Sequence, residues 1–218
     1  MYKSEMTWRI RVYGIVQGVG FRPTVSRQAT AHGIYGTVCN KGPYVEIYAQ
    51  GKKEKIEGFL NELKENPPKR AAILKINIED ITEENELHFE TFDIIESEKT
   101  KGEIFVSPDI AICDECKKEL FDPKDRRYLH PFINCCGPRL TILDALPYDR
   151  ERTSMKEFPM CPECAKEYTD EKSRRFDAQP VCCNECGPEV YLIGRKERGR
   201  DAIIYTRKMI SEGQIVAI

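Results

Sequence analysis

The sequence predicts an α+β protein in which a ferredoxin-like βαββαβ sandwich precedes a duplicated, metal-stapled, cysteine-rich module. Residues 1–97 show strand and helix patterns in that order. Nine of the ten cysteines fall between Cys113 and Cys186, where continuous apolar sequence is scarce. After Tyr191 the pattern changes to one amphipathic helix and an apolar end, which predicts the start of a third domain. We therefore divide the chain into residues 1–97, 107–189 and 190–218.

Composition excludes several classes of protein. The net charge of −2 argues against a chain built to neutralise nucleic-acid phosphates. No stretch approaches the ~20 apolar residues of a membrane span, and Met1–Arg11 has no apolar signal region. We expect a cytoplasmic protein that binds neither membranes nor nucleic acid. Without a secretory signal, the clustered cysteines indicate metal binding rather than disulfides.

Each element of the sandwich has its own local signal. Alternation around Ile10 predicts the first strand, and Pro23 opens a helix that Gly33 ends. Later elements follow from alternation or helical spacing and from turn residues. They are strands at Ile34–Asn40 and Tyr44–Ala49, a helix stopped by Asn66-Pro67-Pro68, a strand around Ile76 and a fifth at His88–Ile95. Glu96–Glu103 is interpreted as a linker, Asp201–Glu212 as a helix and Gln214–Ile218 as a strand.

A glycine-rich loop between the first strand and the first helix is the first candidate site. Glycines allow backbone N–H groups to converge on a phosphate, and the helix N-terminus adds positive potential. Arg22 follows the loop and can donate two hydrogen bonds to the same phosphate. The alternative is an ordinary glycine turn beside a surface arginine. The site runs as Gly14-Ile15-Val16-Gln17-Gly18-Val19-Gly20-Phe21-Arg22.

The string from Val12 to Arg22 closely resembles the acylphosphatase signature, and the βαββαβ order matches the fold of that family. A second element, Gly36-Thr37-Val38-Cys39-Asn40, also fits. The resemblance implies catalytic roles for Arg22 and for Asn40, which would orient the attacking water. It also implies that the phosphoryl group is bound by Gln17, Gly18, Val19, Gly20, Phe21 and Arg22. Such a reaction needs charge stabilisation and a placed water more than a strong base. Cys39 should face the opposite side of its strand, as a small core thiol.

The cysteines belong to an internal duplication. A Cys-x2-Cys pair and a later cysteine recur with an offset of 48 residues, and the basic pair Arg126-Arg127 recurs as Arg174-Arg175. Paired Cys-x2-Cys turns are typical of zinc, whereas a redox pair fits a spaced array poorly. We interpret the basic pairs as solvated faces. The predicted ligands of two zinc ions are Cys113, Cys116, Cys135, Cys136, Cys161, Cys164, Cys183 and Cys186.

The first copy departs from the second at its last two ligands. The second copy ends with Cys183-Asn184-Glu185-Cys186, whereas Cys135 and Cys136 are adjacent. Adjacent cysteines chelate one tetrahedral zinc poorly. The first site therefore lacks two residues, is strained, or uses a substitute such as His130. Cys182 is a spare thiol. Spacing leaves open whether each zinc takes two successive knuckles or the knuckles interleave.

An acylphosphatase-like unit followed by this module resembles the N-terminal portion of the HypF family of hydrogenase maturation carbamoyltransferases. Motifs that match its zinc region are Ser107–Cys113, Pro131–Cys135 and Ala178–Val181. The resemblance implies that the tail begins a YrdC-like domain, that carbamoyl phosphate is hydrolysed to carbamate and phosphate, and that the full-length enzyme partners with HypE. ATP would bind only in a C-terminal part absent here. Two alternatives are a stand-alone acylphosphatase and a non-enzymatic zinc scaffold.

Overall fold

The structure, a computed structural model, describes residues 5–83, 87–98, 111–135 and 143–217. The first part contains β1 (Met6–Ile15), α1 (Phe21–His32), β2 (Tyr35–Lys41), β3 (Tyr44–Gly51), α2 (Lys53–Glu65), β4 (Ala72–Asp80) and β5 (Phe92–Ile94). The predicted βαββαβ order and the acylphosphatase-like α+β fold are confirmed.

The five strands form one sheet in the order β4-β1-β3-β2-β5. The first four strands pair antiparallel, and β5 adds to the free edge of β2 in parallel. Helices α1 and α2 pack together on one face. Because side chains alternate along a strand, Ile10 and Val12 lie fully buried on that face, whereas Arg9 and Arg11 point to the other. Asn40 shares the helix-facing side of β2 with buried Val38.

The cysteine-rich part consists of two short helices and connecting turns. Helix α3 (Asp114–Phe121) begins directly after Cys113, and α4 (Pro162–Thr169) begins directly after Cys161. Single-turn 3-10 helices at Arg150–Arg152 and Ser154–Glu157 lie between the copies. Few apolar side chains are buried in this part, as the sequence predicts. The buried cluster of the second copy consists of Cys164, Ala178, Val181 and Cys183.

The end of the described chain differs in part from expectation. Helix α5 (Gly199–Ser211) confirms the predicted helix, but residues 214–217 form no strand. An isolated apolar segment gains nothing by extending unless a neighbouring strand satisfies its backbone groups, and none lies beside it in the described residues. Ile204, Ile210 and Ile215 are correspondingly exposed. Within the described ranges no helix is long and apolar enough to cross a membrane.

Candidate functional site

The glycine-rich loop forms one wall of an open cavity of about 200 Å³. Gly18 and Gly20 have φ values of 70° and 75°, a left-handed conformation that glycine adopts without strain. Gly20 is the N-cap of α1 and no side chain caps this helix, so its first N–H groups remain available to a ligand. The predicted residues Gln17 to Arg22 all line the cavity, as does Asn40. This geometry suits an anion.

Arg22 lies in the first turn of α1 and is only 7% exposed. Its Nη1 donates to Asp149 Oδ1 at 2.8 Å and to Ser97 Oγ at 3.1 Å. Its Nε lies 3.1 Å from Asp177 Oδ2. Burial alone would lower the pKa of Arg22, but the charges of Asp177 and Asp149 raise it. The guanidinium is therefore a fixed positive charge at the edge of the cavity.

Asn40 projects from β2 into the same cavity and is 2% exposed. Its Nδ2 donates to the backbone oxygen of Tyr148 at 3.1 Å. Its Oδ1 is buried and has no hydrogen-bond partner among the described residues. A buried amide oxygen without a donor is costly. The structure thus presents an acceptor that a water molecule can satisfy.

The segment around Tyr148 closes the cavity from the cysteine-rich part. Tyr148 donates its backbone N–H to Gln17 Oε1 at 3.2 Å, while Gln17 Nε2 donates to the backbone oxygen of Gly42 at 2.9 Å. One buried carboxamide therefore ties the phosphate loop to the β2–β3 turn and to the inter-repeat segment. The second repeat contributes Asp177 and Gln179 to the cavity lining. The candidate site is composite.

Cys39 does not belong to this site. It pairs in register with Glu46 on the face of the sheet away from the helices, whereas Asn40 faces them. Burial raises the pKa of the Cys39 thiol to about 11, so the thiol stays protonated. This arrangement agrees with the prediction of a small buried thiol rather than a nucleophile.

The second copy brings four cysteines together. The Sγ atoms of Cys161, Cys164, Cys183 and Cys186 lie within 4.8 Å of one another. Cys161 and Cys183 are 3.8 Å apart, and Cys183 and Cys186 are 3.9 Å apart. Four thiols converging on one point match the tetrahedral set that a structural metal requires. All four come from one repeat, so this cluster uses two successive knuckles.

The first copy gathers Cys113, Cys116 and Cys135 in the same way. Cys113 and Cys135 are 3.5 Å apart. Cys136, the predicted fourth ligand, lies outside the described residues. The substitute considered for it, His130, lies instead with Cys182, whose Sγ is 3.2 Å from its Nε2. Burial lowers the pKa of His130 to about 4, so the imidazole is neutral.

The comparisons with known proteins agree with this arrangement. The acylphosphatase family matches residues 8–94, and the HypF finger matches residues 112–143 and 160–193. The acylphosphatase of Staphylococcus haemolyticus is 41% identical over 71 residues, which is 80% of that protein and 33% of this chain. The predicted acylphosphatase domain and finger repeats are thereby confirmed. The chain contains a domain of the acylphosphatase family followed by the finger repeats of HypF proteins.

Two relatives extend the similarity across nearly the whole chain. The probable carbamoyltransferase HypF of Methanocaldococcus jannaschii is 50% identical over 98% of this chain and 29% of the relative. A solved full-length HypF in its phosphate- and nucleotide-bound form superposes with a TM-score of 0.87 at 43% identity, over 98% of this chain and 28% of that one. The chain thus spans less than a third of the HypF proteins that it matches.

The basic pairs correct one expectation. Arg127 and Arg175 are 2% and 3% exposed, so they do not form a solvated face. Arg127 pairs with Glu167, and Arg175 pairs with Glu119 of the opposite repeat. The charge pattern suggested that these arginines face solvent, because each has acidic neighbours in the sequence. Those glutamates instead lie across the interface between the copies, where two-fold-like packing brings each helix against the other copy's arginines.

Sequence analysis missed Tyr148 and Asp177, which line the cavity, and Asp149, which pairs with Arg22. They lie more than 100 residues from Arg22 along the chain, and no spacing rule connects them. One signal was present. At the repeat offset of 48 residues, Asp177 corresponds to Leu129, so a charged residue stands where the other copy is apolar. A departure between two copies of one repeat marks a position that serves something outside the repeat.

Proposed function

We propose that this chain hydrolyses carbamoyl phosphate to carbamate and phosphate, as the N-terminal part of a HypF-type carbamoyltransferase for [NiFe]-hydrogenase maturation. The observation that carries the proposal is the meeting of three features in one cavity. They are an uncapped helix N-terminus behind a glycine loop, the buried Arg22 guanidinium and the unpartnered Asn40 Oδ1. The acylphosphatase match over residues 8–94 and the solved phosphate-bound HypF support the same chemistry.

In the proposed reaction, backbone N–H groups of the loop Gln17–Phe21 and the Arg22 guanidinium bind the phosphoryl oxygens. Asn40 Oδ1 accepts a hydrogen bond from a water molecule and directs its oxygen toward phosphorus. As the new P–O bond forms, the bridging P–O bond breaks, and carbamate leaves with the bridging oxygen and its electron pair. A proton of the attacking water is released, leaving phosphate. Charge stabilisation and placement supply the catalysis, so no titrating base is required.

The finger repeats have a structural role in this proposal. The cysteine clusters fit Zn²⁺ because thiolates are its preferred structural ligands and the second cluster offers four from two knuckles. Bound zinc would staple a segment whose apolar core is too small to fold alone. Residues 190–218 would begin the YrdC-like domain. Use of ATP and carbamoyl transfer to HypE would belong to the remainder of the full-length enzyme, in the cytoplasm.

Phosphate release from carbamoyl phosphate tests the proposal. We expect Arg22→Ala and Asn40→Ala each to lower kcat/KM by about 100-fold or more, since each removes a group aimed at the reacting atoms. Arg9→Ala is the matched control, because Arg9 lies on the opposite face of the sheet and pairs with Glu79. Wild-type rates in both active-site variants would refute the assignment. Equal efficiency on acetyl phosphate would instead indicate a general acylphosphatase.

A further inference from the structure

We propose that Asp177, supplied by the second finger repeat, is a positioning residue for Arg22. Its carboxylate fixes the guanidinium at the phosphate loop, so the acylphosphatase site is complete only when the finger repeat is docked on it. This inference rests on the proposed role of Arg22 in binding the phosphoryl group. It adds a residue from outside the acylphosphatase domain to that site.

The contacts of Asp177 hold its carboxylate at both oxygens. Oδ2 accepts from Arg22 Nε. Oδ1 accepts from Tyr168 Oη at 3.2 Å and from Gln179 Nε2 at 2.8 Å. The side chain is 10% exposed, so water competes little for these contacts. Asp177 thus holds Arg22 at Nε, while Arg22 Nη1 donates to Asp149 Oδ1 and Ser97 Oγ.

The internal repeat provides a comparison at this position. Leu129 and Asp177 both adopt positive φ, at 55° and 53°. Their backbone N–H groups donate to equivalent carbonyls, those of Leu120 at 3.0 Å and Tyr168 at 2.9 Å. Aspartate is often chosen for such a conformation, but leucine adopts it here in the other copy. The backbone therefore does not explain the carboxylate of Asp177.

Two contacts of Asp177 also differ between the two copies of the repeat. At the repeat offset, Tyr168 corresponds to Leu120 and Gln179 to Pro131. All three positions are apolar in the copy that does not reach Arg22 and polar in the copy that does. The three polar side chains form one hydrogen-bonded group, because Gln179 Nε2 also donates to Tyr168 Oη at 3.0 Å. The first copy packs without this group, whose other side-chain contacts are Arg22 and the backbone N–H of Arg150, which donates to Gln179 Oε1 at 2.8 Å.

Steady-state kinetics of Asp177→Asn and Asp177→Leu test the proposal. We expect kcat to fall about 10-fold in the asparagine variant, which keeps an acceptor, and up to about 100-fold in the leucine variant. KM should not rise, because removal of a negative charge favours a phosphate-bearing substrate. A purely electrostatic role would lower KM and leave kcat unchanged. Glu171→Gln, an exposed substitution in the same repeat, is the control and should keep wild-type kinetics.

The bound metal and the thermal unfolding midpoint are measured for every variant. The leucine variant copies the residue that the first repeat tolerates, so its fold is expected to survive. A kcat within twofold of wild type in both variants overturns the proposal. So does loss of metal in proportion to loss of activity in both variants, since Asp177 would then act only through the fold of its repeat.

Arg22→Ala and the substrate acetyl phosphate are included in the same series. If wild type hydrolyses acetyl phosphate but not carbamoyl phosphate, the proposed substrate is wrong, and the effect of Asp177 is judged with acetyl phosphate. If Arg22→Ala retains full activity on both substrates, the proposed site and the inference about Asp177 fail together. The two failures are therefore distinguishable.

Discussion

Arg22 faces two carboxylates, and they differ in how firmly they are held. Asp177 is fixed by Tyr168 and Gln179. Asp149 lies just before a 3-10 helix, is 19% exposed, and has Arg152 as a second partner at 2.8 Å. A phosphate group carries a charge of about −2, so two carboxylates on one guanidinium oppose its binding. Asp149 is the carboxylate that can turn away.

Asp149→Asn should therefore strengthen the binding of inorganic phosphate. Removing one negative charge a few ångströms from the ligand in a partly solvated site is worth about 1 kcal/mol, or roughly fivefold in affinity. The inhibition constant of phosphate against acyl phosphate hydrolysis measures the change. Asp144→Asn, on the same inter-repeat segment but paired with exposed Lys156, is the control. Unchanged or weaker inhibition by phosphate would contradict the expectation.

For single residues, the sequence predicted the side chains of the candidate site that come from the sandwich itself. Gln17 to Arg22 and Asn40 line one cavity as expected, because a strand, a loop and a helix start fix their relative positions locally. Asp149 and Asp177 could not be predicted in the same way. Their approach to Arg22 depends on how two parts of the chain pack, which is decided by surfaces and not by residue spacing.

The two finger repeats are interlocked through arginines. Arg126 of the first copy donates to Cys164 Sγ of the second at 2.7 Å, and Arg174 of the second donates to Cys116 Sγ of the first at 3.1 Å. A cluster of four thiolates around a divalent ion carries net negative charge, which a neighbouring guanidinium offsets. Each cluster thus takes its cysteines from one copy and its arginine from the other.

Substitution of Arg126 and Arg174 in turn tests whether each arginine supports metal binding at the cluster of the opposite copy. We expect Arg126→Gln to weaken metal binding about 10-fold at the second cluster only, and Arg174→Gln to do so at the first, as outer contacts of metal ligands do. Cadmium-113 NMR of the cadmium-loaded chain follows the two clusters separately during titration with a chelator. Each variant is the control for the other, and exposed Lys166→Gln should affect neither. Loss of the same resonance in both variants would contradict the assignment of each arginine to the cluster of the opposite copy.

For these elements the duplication was visible in the sequence but its packing was not. Spacing identified the cysteines, whereas the helices that begin after Cys113 and Cys161 were found only in the structure. It could not distinguish arginines that face solvent from arginines that cross to the opposite copy, because both patterns place basic residues among acidic ones. The structure distinguishes the two cases, because α3 and α4 each contact the basic pair of the opposite repeat.

At the scale of the whole chain, the finger repeats and the sandwich share one site. Tyr148 and Asp149, from between the repeats, and Asp177, from the second repeat, touch Gln17, Arg22 and Asn40. Loss of the metal-bound fold would therefore remove three contacts from the phosphate loop. The acylphosphatase domain would keep its core, which is built from its own strands and helices.

Metal removal should accordingly lower phosphate release without unfolding the sandwich. After dialysis against a strong chelator, we expect kcat for acyl phosphate hydrolysis to fall about 10-fold or more, in line with the expected effect of Asp177→Asn. Fluorescence of the single tryptophan, Trp8 on β1, should stay native because it reports on the sandwich. Added zinc should restore the rate. Full activity in metal-free chain would contradict the coupling.

The hydrogen bond from the Tyr148 backbone to Gln17 offers a way to observe this docking directly. That amide is buried and lies in no helix or strand, and its hydrogen bond to the Gln17 side chain slows its exchange. Its exchange with deuterated solvent is therefore governed by how often the inter-repeat segment lifts from the loop, rather than by unfolding of the sheet. A single proton thus records the opening rate of the site.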